Sequence, residues 1–125
     1  MNLLLDTHVL IWSLTNDATL SNNARHQIVD GANLVFVSAI SVWEISIKMQ
    51  LGKLSAPGNL LEEIMDKRFD LLDVKAEHSW RAGQLPPIHQ DPFDRMLVAQ
   101  AQVEQLTLLT RDTRIHRYDV ATLIA

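Results

Sequence analysis

Four carboxylates stand in this chain where a solvated acid has little reason to be: Asp6, Glu44, Asp94 and Asp112. Asp6 ends the run Leu3-Leu4-Leu5, whose large aliphatics show no alternation and so call for burial on both faces, as in a central strand of a parallel sheet. Asp112 follows a second such run, Thr107-Leu108-Leu109-Thr110. Ligands of open α/β sheets bind beyond the carboxyl ends of the strands, so both acids are expected at that rim. Glu44 shares a helical stripe with Ile40, Ile47 and Leu51. An i,i+4 pair with Lys48 is its ordinary reading, and that pair alone does not explain the alignment. Asp94 lies on the face of Leu97, Val98 and Ala101, although an acid in a first helical turn also suits the helix dipole. Asp91, before Pro92, reads first as a helix N-cap. Taken alone, Asp112 reads as a turn or cap residue.

Gathered in a partly dehydrated cleft, such acids repel one another and raise at least one pKa unless cations sit among them. An oxygen-only donor set in a chain with no cysteine points to Mg²⁺ or Mn²⁺, not to a structural Zn²⁺. Ions held this way serve in-line phosphoryl chemistry. The histidines offer no competing centre. His8, His26, His78, His89 and His116 are scattered, without zinc-site spacing, and His89 is expected to be solvated or to touch substrate. Trp12, Trp43 and Trp80 read as core or interface anchors. Neither a glycine-rich phosphate loop nor a nucleophile elbow is present.

Alternating elements are needed to bring these acids together. After the first strand, Thr7 caps a short helix through Leu14. Ser21 caps a second, with Ala24, Ile28 and Val29 as its stripe and Gly31 as its stop. Leu34 to Val37 is a buried strand, and Ser38 or Ser41 caps a helix running to Leu51, ended by Gly52. A turn over Lys53 to Asn59 leads to a helix from Leu60 to Phe69 and a strand around Leu71 to Val74. A weak helix over Lys75 to Gln84 is anchored by Ala76, Trp80 and Leu85. Prolines keep Leu85 to Pro92 out of any helix interior; Asp91 then caps a helix that Pro92 opens and that runs to Gln105. Thr107 to Thr110 and an edge strand over Val120 to Ile124 complete an α/β pattern with a parallel sheet flanked on both faces.

The 125 residues read as one domain, 1–125, of ordinary soluble composition, with 47 % hydrophobic and 21 % charged residues. The apolar start is too short for a signal segment or a membrane span, so cytoplasmic residence is the expectation and no membrane partner is. A net charge of −4 argues against a general nucleic-acid coat. It does not argue against an enzyme that meets phosphodiesters through bound cations.

Leu4-Leu5-Asp6-Thr7-His8, Val37-Ser38-Ala39-Ile40-Ser41-Val42-Trp43-Glu44-Ile45, His89-Gln90-Asp91-Pro92-Phe93-Asp94-Arg95 and Leu109-Thr110-Arg111-Asp112 follow one another along the whole chain. Together they resemble the PIN-domain ribonucleases, and among them the VapC-like toxins of type II toxin–antitoxin pairs. The resemblance implies a three-layer α/β/α fold with sheet order 3-2-1-4-5 and Mg²⁺- or Mn²⁺-dependent endoribonuclease activity on an RNA substrate. It makes Asp6, Glu44 and Asp94 the first three catalytic, metal-holding acids. Asp112 becomes the fourth, at a position that varies in the family. Thr7, Ser38 and Thr110 match small hydroxyl positions around the acids. Asp91 belongs to the toxin subgroup's motif without a metal assigned to it, and Arg95 fits the motif as a contact for a phosphate or a neighbouring carboxylate. A small antitoxin that blocks the cleft, a homodimer and a toxin–antitoxin hetero-oligomer are implied as well. Ile45, Met49 and Leu51 offer apolar surface for such contacts, and Lys48, Lys53 and Arg111 are candidates to meet RNA.

Three other readings compete. A haloacid-dehalogenase-like phosphatase needs a second Asp where His8 stands. A receiver-like regulatory domain needs an acceptor Asp ending its third strand and a late Lys, where this chain has Asp73 inside its strand and Arg111. A PIN fold kept only as a partner surface has no need of intact acids at the four positions.

Overall fold

In the computed structural model, which describes residues 1–125, five parallel strands form one sheet in the order β3-β2-β1-β4-β5. The chain runs β1 (Asn2–Leu5), α1 (Thr7–Leu14), α2 (Asn22–Val29), β2 (Leu34–Ser38), α3 (Ala39–Gln50), α4 (Leu60–Asp66), β3 (Asp70–Leu72), α5 (Ala76–Gln84), α6 (Pro92–Glu104), β4 (Thr107–Thr110) and β5 (Thr122–Ile124), with a 3₁₀ turn over Ile115–Arg117. β1 lies at the centre, with Leu3 and Leu4 opposite Val35 and Phe36 of β2, and opposite Thr107 and Leu108 of β4. The unbroken leucine run is explained by what lies on each side of it. Leu3 and Leu5 enter one core with Val9 and Leu10 of α1, Ile28 of α2, Ile45 of α3 and Ile64 of α4. Leu4 enters a second core on the opposite face, with Leu97, Val98 and Ala101 of α6 and Leu85 after α5. Two apolar cores around one sheet make three layers. A receiver-like sheet follows the order 2-1-3-4-5, so the observed topology removes that reading.

Most departures from the sequence expectations lie at element ends. Asp6, not Thr7, caps α1; its carboxylate accepts the amides of His8 and Val9. α2 ends at Val29, ahead of Gly31, and Val29 itself is exposed. α4 stops at Asp66, because Arg68 turns into the left-handed region with φ of 60° and Phe69 drops into the core. β3 covers Asp70 to Leu72 and leaves Val74 outside, and β5 is only Thr122 to Ile124. Gly52 does end α3 as expected, at φ of 68°, where a side chain would be strained.

α5 is the larger correction. Trp80 is 75 % exposed and anchors nothing in this chain, whereas His78 is fully buried. Its Nδ1 accepts the Lys75 amide at 3.0 Å, and its Nε2 lies 3.2 Å from Glu104, which locks α5 onto α6.

Candidate active site

Asp6, Glu44, Asp91, Asp94 and Asp112 line one cleft of about 480 Å³ at the carboxyl ends of β1 and β4. Each is held by a different local device. Asp6 Oδ1 accepts the amides of His8 at 2.9 Å and Val9 at 3.3 Å, and Oδ2 accepts the Thr110 hydroxyl at 2.6 Å. One carboxylate thereby caps α1 and ties the end of β1 to the end of β4. The buried hydroxyl of Thr110 also accepts the amide of Asp112 at 3.1 Å.

Glu44 is buried, at 3 % exposure. Its Oε1 lies 2.6 Å from the Thr7 hydroxyl, which lies 3.0 Å from the Ser41 hydroxyl. A hydroxyl has one proton, so Thr7 donates to Glu44 and Ser41 donates to Thr7. The other carboxylate oxygen accepts Lys48 at 2.5 Å, and this bond with Glu44 is the main cause that raises the Lys48 pKa. The expected stripe partners of Glu44 are not what buries it. Leu51 is 61 % exposed and Ile47 half-buried, and the covered face of α3 carries Ser41 and Ile45.

Asp94 and Asp112 meet across a histidine expected in solvent or against substrate. His89 is only 3 % exposed, and its Nε2 lies 2.8 Å from Asp112 Oδ2 and 3.1 Å from Asp94 Oδ2. Its Nδ1 accepts the Asp91 amide at 3.1 Å, and its own amide donates to the Tyr118 hydroxyl at 2.8 Å. These three ligand-type side chains, with donor atoms within 4.8 Å of one another, have the spacing of a metal site. The tautomer argues otherwise for the imidazole. With Nδ1 accepting, the proton sits on Nε2, and a protonated nitrogen donates to the two carboxylates and does not ligate. His89 is a clamp between acids. No zinc-site spacing marks it; its sequence signal is its place at the head of the motif that runs to Arg95.

Asp91 caps α6 by accepting the amides of Phe93 at 2.8 Å and Asp94 at 3.4 Å, while still lining the cleft. Ser38 is buried and caps α3 through the Ile40 amide, away from the cleft lining. Arg95 touches neither a carboxylate nor the cleft. Its guanidinium donates to the carbonyls of Ala82, Leu85, Pro86 and His89, and so fastens the proline loop. Lys48 and Arg111 line the cleft, Lys53 does not, and Arg114 joins them unforeseen.

The electrostatics follow from this crowding. Burial first, then Asp91, Asp6, Glu44 and Asp112, pushes the Asp94 carboxyl up to about 8, in spite of the nearby His89. Burial acts in the same direction on Asp112, but the His89 hydrogen bond and the Arg114 amide outweigh it and hold that carboxyl below its usual range. Five carboxylates face three permanent cations in the cleft, and Lys48 is already committed to Glu44. Hard oxygen donors, the missing thiols and a repulsion strong enough to keep one acid protonated fit a divalent cation.

The PIN domain model matches residues 3–121 of the sequence. The chain belongs to the PIN-domain family. Its members are generally nucleases. Solved structures share the fold across nearly the whole length. VapBC2 from Rickettsia felis, bound to a DNA fragment from their promoter, aligns with a TM-score of 0.73 and 16 % identity over 99 % of this chain and 98 % of that one. DNA-bound VapBC from Salmonella typhimurium gives 0.71 and 18 %, again over 99 % and 98 %. A toxin–antitoxin complex from Klebsiella pneumoniae gives 0.66 and 17 %, over 96 % and 94 %. None of the curated proteins matches the sequence. At these identities the likeness is one of architecture, and the chemistry of this PIN domain has to be argued from its own cleft.

Proposed function

We propose that this PIN domain, residues 1–125, is a divalent-metal-dependent endoribonuclease, the toxin component of a type II toxin–antitoxin pair acting in the cytoplasm. One observation carries the reading: five carboxylates line one cleft, and burial and then this crowding push the half-buried Asp94 up to about 8. A cluster of that kind is costly unless a cation belongs in it. Asp6, Glu44 and Asp94 would hold Mg²⁺ or Mn²⁺, with Asp112 in support. When bound, the ion lowers the pKa of a water and neutralises charge on the phosphodiester.

The chain's own groups position the rest. Thr110 and the first amides of α1 fix the two oxygens of Asp6, and Thr7 fixes Glu44. His89 holds Asp94 and Asp112 face to face. Arg114 reaches Asp112 at 3.6 Å and, being half exposed, can also meet an RNA phosphate. No protein nucleophile is needed, because water attacks phosphorus and the ester oxygen leaves with a proton.

An antitoxin partner and a homodimer belong to the same reading. The fold shared with the Klebsiella pneumoniae toxin–antitoxin complex supports it, as does apolar surface that the chain leaves uncovered. Met49, Val42, Leu60 and Leu61 line a groove between α3 and α4, while Trp43 is 58 % exposed and Trp80 stands free on α5. Ile45, expected to share that surface, is instead fully buried in the core and offers none.

Total RNA and single-stranded DNA, incubated with the protein in Mn²⁺ or in EDTA, test the activity. Cleavage of RNA only with the metal is expected, and Asp6→Asn should abolish it while a cooperative melting curve in EDTA shows the fold intact, because asparagine also caps helices well. A fully active Asp6→Asn protein would sink the assignment.

A further inference from the structure

One wall of the cleft is not built for a cation. Trp12 of α1 is the only apolar residue that lines it, and the guanidinium of Arg111 lies over the indole, 4.8 Å from the ring centroid. The ring of His8, also at the cleft, lies 6.0 Å from that indole and is tilted by 45°. Arg111 pairs with no Asp or Glu side chain, although five such carboxylates line the same cleft. Its Nε and one terminal nitrogen donate to the backbone oxygen of Ala125 at 2.9 and 2.7 Å, and that terminal nitrogen also donates to the Thr19 carbonyl.

These bonds engage the edge of the guanidinium that would grip a phosphate in bidentate fashion. Nη1 keeps its N–H donors for a single-point phosphate contact, and the residue also presents its guanidinium plane, exposed and seated over the indole. Guanidinium planes and aromatic rings are the surfaces on which unpaired bases stack, and a platform already ordered by packing loses little entropy when a base arrives.

We propose that the Arg111 plane, seated on Trp12 and flanked by His8, is the subsite for an unpaired nucleobase next to the phosphodiester that is cleaved. This rests on the ribonuclease reading and adds to it a recognition element and a class of substrate, RNA whose bases are free at the cut. A base inside a duplex has both faces stacked on neighbours and offers none to the platform.

The test measures binding of fluorescein-labelled deca-uridine RNA to the Asp6→Asn protein in Mn²⁺, beside a ribose-phosphate chain of the same length without bases. The two probes carry the same phosphates. Loss of stacking should weaken binding of the baseless chain by about tenfold. Arg111→Lys keeps the charge and loses the plane, so it should remove most of that difference while the slope of log K against log salt stays constant. Equal affinity for the two probes overturns the proposal. So does Arg111→Lys protein that discriminates as well as the parent. Should the lysine variant fail to fold, as its melting curve would tell, the comparison of probes on the parent protein decides alone. Metal-dependent cleavage of total RNA together with base-independent binding would remove the subsite and leave the ribonuclease reading standing. Neither cleavage nor binding would remove both.

Discussion

Asp94 is where function and stability pull in opposite directions. Its carboxyl has moved from 3.8 to about 8 in the folded chain, mainly through burial and then through the acids around it. An acid with a raised folded pKa keeps a proton that the unfolded chain releases. Between about pH 4 and 8 the native state therefore binds more protons, and stability falls as pH rises through that window. Asp94→Asn takes this slope away. In EDTA the variant should melt higher than the parent at pH 8, with the difference closing toward pH 4, and it should lose metal-dependent cleavage. Identical pH slopes for the two proteins would place the strain elsewhere. His89 offers the second test at this scale. With its proton on Nε2 it holds Asp94 and Asp112 in one geometry. Partners that orient metal-holding groups are worth about 10- to 100-fold in metal affinity. A Mn²⁺ titration followed by tryptophan fluorescence should show a loss of that order in His89→Ala, and an unchanged midpoint would exclude the clamp.

Elements were legible from the sequence wherever one physical demand dominated. Leu3-Leu4-Leu5 and Leu108-Leu109 are apolar on both faces because cores lie on both faces, so their strands could be placed with little error. Asp91-Pro92 announced the start of α6 because a cap and a missing amide allow little else. α5 was misread because its anchor is a polar side chain, His78, buried through bonds to Lys75 and Glu104 that only the folded chain supplies. Arg95 misled for a similar reason. Its motif position fits a phosphate contact, but carbonyls at the end of α5 and in the proline loop converge on the guanidinium, which donates to four of them. That loop carries His89, so Arg95 supports the site at one remove. Lysine cannot span these acceptors. Arg95→Lys should cost about 2 kcal/mol, as expected for charged hydrogen bonds lost from a partly buried loop. Amide exchange should quicken over residues 85–91 before any other segment. Exchange confined to the chain termini would show that the loop stands without it.

At the scale of the whole molecule, the sheet is a rigid frame that forces like charges together. β1 and β4 end side by side, so Asp6 and Asp112 share a rim, and α3 and α6 bring Glu44, Asp91 and Asp94 to the same opening. The acids themselves could be read from the sequence, since each sits at a strand end or on an apolar face. The resemblance marks Thr7 and Thr110 as hydroxyls around the acids, but which acid each one orients, and the imidazole between two acids, could not be read, because Thr7 and Glu44 lie 37 positions apart and Thr110 and Asp6 lie 104 apart. A protein built this way is strained while its cleft holds only protons and a few lysine and arginine side chains. Divalent cations bound to the native cleft, and not to the unfolded chain, stabilise by mass action. At about a hundredfold over the dissociation constant the gain is about 2.7 kcal/mol, or roughly 10 °C in melting temperature for a chain of this size. Screening by any salt relieves part of the repulsion, so the comparison has to be made at constant ionic strength. Melting curves in MnCl₂ and in matched NaCl should therefore separate, and the separation should shrink sharply in Asp6→Asn, which removes one negatively charged ligand. Curves that coincide in the two salts would mean that the five carboxylates gather for some purpose other than holding a metal.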